Sequence, residues 1–292
     1  MSLPLLLVIS MLSALFATII TKLQTNDFGS SFSVTLLYNA VSGFISVIMF
    51  LIWGDGIKFS TFTVLLGLAF GLITALQTIS RLKAVALGPM SLTQLFLSSS
   101  MLIPAISGVL FFSESISVLQ IVGIVLTLFS FALAVDNKIE EKKVSLLWIT
   151  FCAVIFLSTG AIGVLQKVHQ ASSYKLELGG FLITAFLTSS VVSFVGTLAL
   201  TKNLKANLKG KSAVKIILLS VLFGVFVAVN NKLNLFLSGK LDSALFFPLV
   251  NGGGLVLTTL SAIIVFREKL SVKKWTGFFV GLVAVLLLCN PF

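Results

Sequence analysis

Ten runs of about 20 predominantly apolar residues constrain this chain more than anything else in it, because at 1.5 Å per residue each can cross a hydrocarbon layer roughly 30 Å thick. They lie near 3–21, 32–53, 61–84, 89–112, 116–135, 145–166, 179–200, 213–237, 243–266 and 272–289. Lipid offers no partner to a free amide or carbonyl, so each run is expected to be a helix. Composition agrees. A soluble domain carries about a quarter of its residues as charges; here 10% are charged, 58% are hydrophobic and 27 are Phe. The expected class is an all-α integral membrane protein with ten transmembrane helices. The start of the chain, Met1-Ser2-Leu3-Pro4, lacks the basic stretch and cleavage site of a signal peptide, so the first run is expected to remain as a span.

The formal charge of +11 is not a nucleic-acid footprint, since no basic stripe with interleaved aromatics accompanies it. It reads instead as an orientation signal. Of the 20 Lys and Arg residues, 15 fall in connections after odd-numbered spans and 5 in those after even-numbered spans. Basic loops stay on the cytoplasmic side, so the odd connections are expected to be cytoplasmic and both termini external. Cys152 and Cys289 sit in apolar runs with no CxxC or Cys/His spacing, and His169 is the lone histidine, so no disulfide framework, metal or cofactor is implied. His169 is expected just beyond span six, in an external or boundary loop beside Lys167.

The chain repeats itself. A shift of 154 residues superposes Leu87 on Leu241, Leu95 on Leu249, Ser107 on Ser261, Phe112 on Phe266, Glu114 on Glu268, Ser117 on Ser271, Val118 on Val272 and Gly123 on Gly277. A shift of 153 matches Gly71 to Gly224, Ala75 to Ala228, Gln77 to Asn230 and Leu82 to Leu235. Five spans per copy is an odd number, so the second copy is expected to cross in the opposite sense, the inverted-topology plan that supports alternating access. The expected units are 1–137 and 145–292, joined by 138–144.

The segment Leu87-Gly88-Pro89-Met90-Ser91, a span ending Phe112-Ser113-Glu114-Ser115-Ile116-Ser117 and then Gly123, echoed by Phe266-Arg267-Glu268-Lys269-Leu270-Ser271 and Gly277, resembles the EamA domain of the drug/metabolite transporter superfamily. The resemblance spans essentially the whole chain as two five-helix copies. It implies a secondary transporter in a plasma membrane, with the bacterial inner membrane the expected setting. Related members are described as moving amino acids, sugars, nucleotide sugars, organic cations and drugs, so the resemblance does not choose a substrate. The chain departs from the usual Gly-Glu pair by having Ser113 in one copy and Arg267 in the other.

Polar side chains inside a bilayer face the bundle or a wet cavity, which makes their alignment informative. Asn251, Gly254, Thr258 and Ser261 recur at helical spacing in span nine; Ser91, Gln94 and Ser98 do so in span four, and Thr35, Asn39, Ser42 and Ser46 in span two. The last stripe suits a close helix contact equally well. Gln77 and Asn230 occupy matching repeat positions. No acid lies at a span centre; Glu114 and Glu268 precede spans five and ten, where carboxylates favour helix N-termini. A proton-coupled exporter of permanent cations usually needs a central acid and is disfavoured on this ground. Lys232 lies about 10 Å past the middle of its span among three asparagines, and either snorkels to the interface or enters a cavity. Arg81 and Lys83 stand nearer their helix end. If Lys232 or Arg81 faces the cavity, the ligand should carry a carboxylate or phosphate.

The expected function is therefore secondary-active transport of a small polar or amphipathic metabolite by alternating access, with Gln77, Arg81, Gln94, Asn230, Asn231, Lys232 and Asn251 as substrate contacts and Gly252, Gly253 and Gly254 as a hinge. The first four helices of each copy should line the cavity and the fifth should buttress it. A monomer suffices, a dimer remains compatible, and the partners are a small molecule and the lipid bilayer. A lipid or isoprenoid-phosphate flippase, a multidrug or organic-cation exporter and a non-transporting scaffold are the alternatives. No enzymatic constellation accompanies the spans. Reporter fusions check the orientation: one within 202–211 should read as cytoplasmic and one at residue 292 as external, and the reverse pattern overturns the charge argument.

Overall fold

The structure, a computed structural model, describes residues 2–28, 32–88, 90–134, 145–200, 211–265, 267 and 271–289. Among the described residues there are eleven helices: α1 Leu3–Phe28, α2 Phe32–Trp53, α3 Thr61–Leu87, α4 Met90–Ser99, α5 Leu102–Phe111, α6 Val118–Ala134, α7 Leu146–Ala171, α8 Leu178–Leu200, α9 Lys211–Ser238, α10 Ser243–Ile264 and α11 Val272–Leu288. Eight stretches among the described residues are long and apolar enough to cross a membrane, with α4 and α5 joined as one of them. The helices α6 and α11 have 17 residues each, about 25 Å of rise. The segment 138–144, Pro89, Glu268 and the lysines of 201–210 lie outside the described residues.

Span four remains one membrane-length stretch, Leu92–Phe111, but its helix is interrupted. Instead of one helix over 89–112, α4 ends at Ser99 and α5 restarts at Leu102. Pro104 explains the break, because its ring would clash with the carbonyl of Ser100 in a continuous helix. Restarting at Leu102 places Pro104 in the first turn of α5, where a missing N–H leaves no bond unmade. Ser100 closes the interruption by donating its hydroxyl to the Leu97 carbonyl at 2.6 Å. Spans one and six also run further than expected, so Lys22, Lys167 and His169 all sit within helices.

Two turns match in detail. The only two non-glycine residues with positive φ among the described residues are Ser113 at 55° and Arg267 at 52°, 154 positions apart. Each turn leads to a serine cap: Ser117 accepts from Gln120 N at 3.2 Å while Gln120 Oε1 accepts from Ser117 N at 2.9 Å, and Ser271 accepts from Lys274 N at 3.4 Å. The helices that follow, α6 and α11, pack on each other. Gly123 faces Ala284 and Leu288, Gly277 faces Ser130, Leu133 and Ala134, and Ser130 Oγ donates to the Gly277 carbonyl at 2.6 Å.

The remaining helices interleave. Helix α3 packs on α7 and α8, while α9 packs reciprocally on α1 and α2. Small residues permit these approaches: a Cβ on Gly71 would collide with the Ala185 carbonyl, and one on Gly224 with the Ser42 carbonyl. Ser46 of the span-two stripe is fully buried and donates to the Gly224 carbonyl at 2.9 Å, so that part of the stripe serves packing.

Left-handed backbone costs a non-glycine residue about 1–2 kcal/mol, partly offset by the greater unfolded-chain freedom of glycine. Ser113→Gly should therefore raise stability by about 0.5–1 kcal/mol, seen as a higher melting temperature in detergent. Gly277→Leu should lower it by about 1–3 kcal/mol by forcing α6 and α11 apart.

Candidate functional site

The connections after the even-numbered spans, 54–60, 112–117, 172–177 and 239–242, meet at one end of the bundle. Backbones touch there: Gly180 N donates to the Gly56 carbonyl at 3.1 Å, and a Cβ on Gly179 or Gly180 would collide with the carbonyl of Asp55 or Lys58. Glu177 Oε2 accepts from Ser60 N at 3.1 Å and from Ser60 Oγ at 2.8 Å, tying the start of α3 to the start of α8. The Thr63 hydroxyl first, and then the hydroxyl and amide of Ser60, hold the Glu177 carboxyl below its ordinary range against the opposing effect of burial.

Charged groups complete this even end. Glu114 is almost fully buried and forms an ion pair with Lys167 of α7. Its carboxylate also accepts from Ser243 N at 2.6 Å, and Lys167 Nζ donates to the Leu241 carbonyl at 3.1 Å. Glu114 thus satisfies a helix N-terminus, but that of α10 rather than of α6, which directly follows it. Lys232 Nζ reaches Asp55 Oδ2 at 2.6 Å and stands 4.5 Å above the Trp53 ring. A small cleft beside it is lined by Phe50, Leu178, Leu182 and Gly179.

Beneath these polar ties, apolar clusters fill the space. One joins Phe50, Phe70, Phe181, Phe186 and Leu235 across α2, α3, α8 and α9; another joins Leu237, Phe246 and Phe247 with Met101 and Phe131. His169 belongs to this packed region, correcting its expected place in a loop. It is fully buried in the last turn of α7, its ring 4.7 Å from that of Phe181, and its Nε2 has no partner.

The opposite, odd end is built differently. Among the described residues its buried contacts include one cluster of α1, α2 and α9, around Ile20, Tyr38 and Ile216, another of α3 and α7, around Ala84, Trp148 and Ile155, against which Leu92 and Leu97 of α4 pack, and the contact of α6 with α11 at Ser130 and Gly277. Helix α10 registers the change along its own length. Phe246 to Leu249 are all buried, whereas every residue from Gly254 to Ser261 is half-exposed, although no described side chain between Ser243 and Ile263 is fully exposed as lipid-facing ones are. A Cβ on Gly254 would meet nothing within 4 Å. Asn251, Gly254, Thr258 and Ser261 are thus partly accessible along with their apolar neighbours, with Thr258 and Ser261 hydroxyls bonded to their own helix at 3.0 and 2.8 Å.

The other sequence candidates divide between these regions. Gln77 Nε2 donates to Thr159 Oγ1 of α7 at 2.8 Å. Its repeat counterpart Asn230 donates to the carbonyl of Ser10 of α1 at 2.9 Å and to its hydroxyl at 3.1 Å, in a cluster with Asn234, which accepts from Ser10 Oγ at 2.6 Å. Gln77 thus ties α3 to α7, and Asn230 ties α9 to α1. Asn231 and Asn251 donate to the carbonyls of Val227 and Phe247, one turn back, at 3.0 and 2.7 Å. Gln94 and Arg81 are exposed. Helix α10 runs unbroken through Gly252, Gly253 and Gly254; Gly252 rests against Thr127 and Gly253 against Met11. Sequence reasoning missed Asp55, Ser60 and Glu177 entirely, since their partners come from distant connections; Glu114, repeated as Glu268, was the one visible signal. Cys152 is buried and Cys289 exposed, and no group of three metal-binding side chains occurs among the described residues.

No protein-family model and no curated protein matches the chain. Among solved structures 28 chains match. One, described only as the crystal structure of a protein, superposes over 99% of this chain and 96% of its own with a TM-score of 0.77 at 13% identity. That likeness is one of fold.

Breaking the buried pair by Glu114→Gln or Lys167→Met should destabilise the protein by about 3–5 kcal/mol, with the double variant recovering part of the loss. For Glu177 the folded value is depressed, so its stabilisation is complete above the unfolded value of about 4.3 and lost as pH falls through the folded one. Melting curves between pH 7 and pH 3 should therefore fall less steeply at the acid end in Glu177→Gln than in the unaltered chain.

Proposed function

We propose that this chain is a secondary transporter of the drug/metabolite type, built from two inverted five-helix repeats in a bacterial plasma membrane and moving a small polar or amphipathic metabolite by alternating access. The observation that carries this reading is the unequal packing of the two ends. One is closed by carboxylate ties and two aromatic-aliphatic clusters; toward the other, α10 becomes partly accessible along a stretch that carries the polar stripe. Matching left-handed turns, matching serine caps and the reciprocal packing of α3 and α9 support the repeat. With odd connections cytoplasmic, the conformation is open to the cytoplasm.

In this mechanism the even end opens when α7 and α10 separate from the turn carrying Glu114, and when α8 parts from the connection 54–60. The interrupted α4/α5 span leaves irregular backbone beside the path, as transporter sites commonly do. The broken helix and the α10 glycines would accommodate the rocking.

Counterflow in proteoliposomes preloaded with pools of amino acids, organic acids, sugars, phosphate esters or quaternary amines tests the reading. Uptake of at least one labelled class is expected, and a short cross-linker between cysteines at 60 and 177, in a Cys289→Ser background, should abolish it. Absence of uptake from every pool, or undiminished uptake with the even end cross-linked, overturns alternating access through this path.

A further inference from the structure

We infer that His169 is a proton-binding residue whose protonation is linked to opening of the even end, so that acidity opens this end of the path; this rests on the transporter reading above. The ring is fully buried in the last turn of α7, 4.7 Å from that of Phe181 near the start of α8. Its two nitrogens have different surroundings. Gln170 Nε2 lies 3.2 Å from Nδ1, and the same amide nitrogen donates to the Lys175 carbonyl at 3.2 Å. An amide nitrogen only donates, so Nδ1 accepts and Nε2 carries the proton of the neutral ring. That proton has no acceptor.

A second proton therefore has no place while the end is closed. At Nδ1 it would point at a donor and displace the Gln170 amide, which also holds the Lys175 carbonyl. The charged ring would in addition stay buried with no partner at Nε2, which costs more than burying the neutral ring. Water at an opened end removes both penalties, so opening and proton uptake favour each other. The connection thus loosened, 172–177, carries Glu177 and through it the tie to Ser60.

The charged groups around the ring are already engaged. Glu177 acts on it electrostatically, but its carboxylate is held by Thr63 and Ser60, below its ordinary range, and stays ionised at pH 5. On α7 Lys167 pairs with Glu114, and Asp55 of the neighbouring connection pairs with Lys232 of α9. Tyr174 stacks on Phe62, Lys240 stands over Phe236, and Lys58, Lys175 and Asp242 are exposed. Helices α4, α5, α8 and α10 carry no ionisable side chain, and α3 carries none before Arg81. The chain's single histidine is thus the even-end side chain whose ordinary value, about 6.5, falls between pH 5 and pH 8.

The test is hydrogen–deuterium exchange of the purified full chain in phosphatidylcholine nanodiscs, followed by mass spectrometry and corrected for the intrinsic effect of pH on exchange. From pH 8 to pH 5, protection of peptides covering 54–60 and 172–180 should fall by about tenfold or more, the factor that one unit of linkage represents. Peptides of α6 and α11 should show no such step, which separates local opening from general loosening. In His169→Phe, which keeps a ring against Phe181 but takes no proton, protection should stay nearly constant over that range. His169→Gln provides a second variant that does not titrate, and monodisperse elution with a cooperative melt shows that each is folded. Gln170→Met removes the donor at Nδ1 and should shrink the step, whereas Glu177→Gln should lower protection at both pH values and keep it. No step in the unaltered chain, greater protection at pH 5, or a step undiminished in both His169 variants overturns the inference. Counterflow decides the transporter reading separately: uptake with an acid-indifferent even end keeps transport and removes the switch, and a step without uptake from any pool keeps the switch and removes transport.

Discussion

Hydrocarbon provides no hydrogen-bond partner, and most of this architecture follows from that constraint. Each long apolar run must satisfy its backbone internally, so the chain becomes a set of helices. Their polar side chains must then bond their own carbonyls, a neighbouring helix or water. Thr74, Thr127 and Thr197 take the first course, bonding a carbonyl one turn back. Ser46, Ser130, Gln77 and Asn230 take the second and stitch the two halves together.

The same rule governs the charged residues. A buried carboxylate is tolerable only when its lone pairs are filled, and Glu114 fills them with Lys167 and the amide and hydroxyl of Ser243. Such a tie is strong in one arrangement and unfavourable in any that separates its members into an apolar medium. It therefore suits an interface that is either fully made or exposed to water, with no stable intermediate position. Glu177 and Asp55, nearer the surface, form weaker ties that release more readily.

Much of the helical pattern was legible in the sequence because it depends on local hydropathy. Span lengths, the polar stripes and the equivalence of Ser117 with Ser271 are one-dimensional features. The break in span four was not, since Pro104 and Pro248 look alike in the sequence: the first divides its helix and the second does not. For Lys232, periodicity could not distinguish interface from cavity, because its partner Asp55 lies 177 positions away. His169 misled for a related reason. Helix α7 continues past the end of its apolar run, and only the packing of Phe181 shows that a histidine there is interior.

The interleaving of the two halves also bears on how the chain is made. Gly67 and Gly71 of α3 are shaped to receive Thr184, Ala185 and Thr188 of α8, residues that leave the ribosome more than a hundred positions later. At about 5–20 residues per second, α3 waits several seconds or longer in the membrane with its narrow face uncovered. Helices α1 to α6 therefore do not complete their packing before the later helices arrive. Assembly is a late event in which α7, α8 and α9 slot between and against helices inserted earlier, and a nascent chain arrested before α8 would expose grooves that other membrane helices, or the insertion machinery itself, must cover.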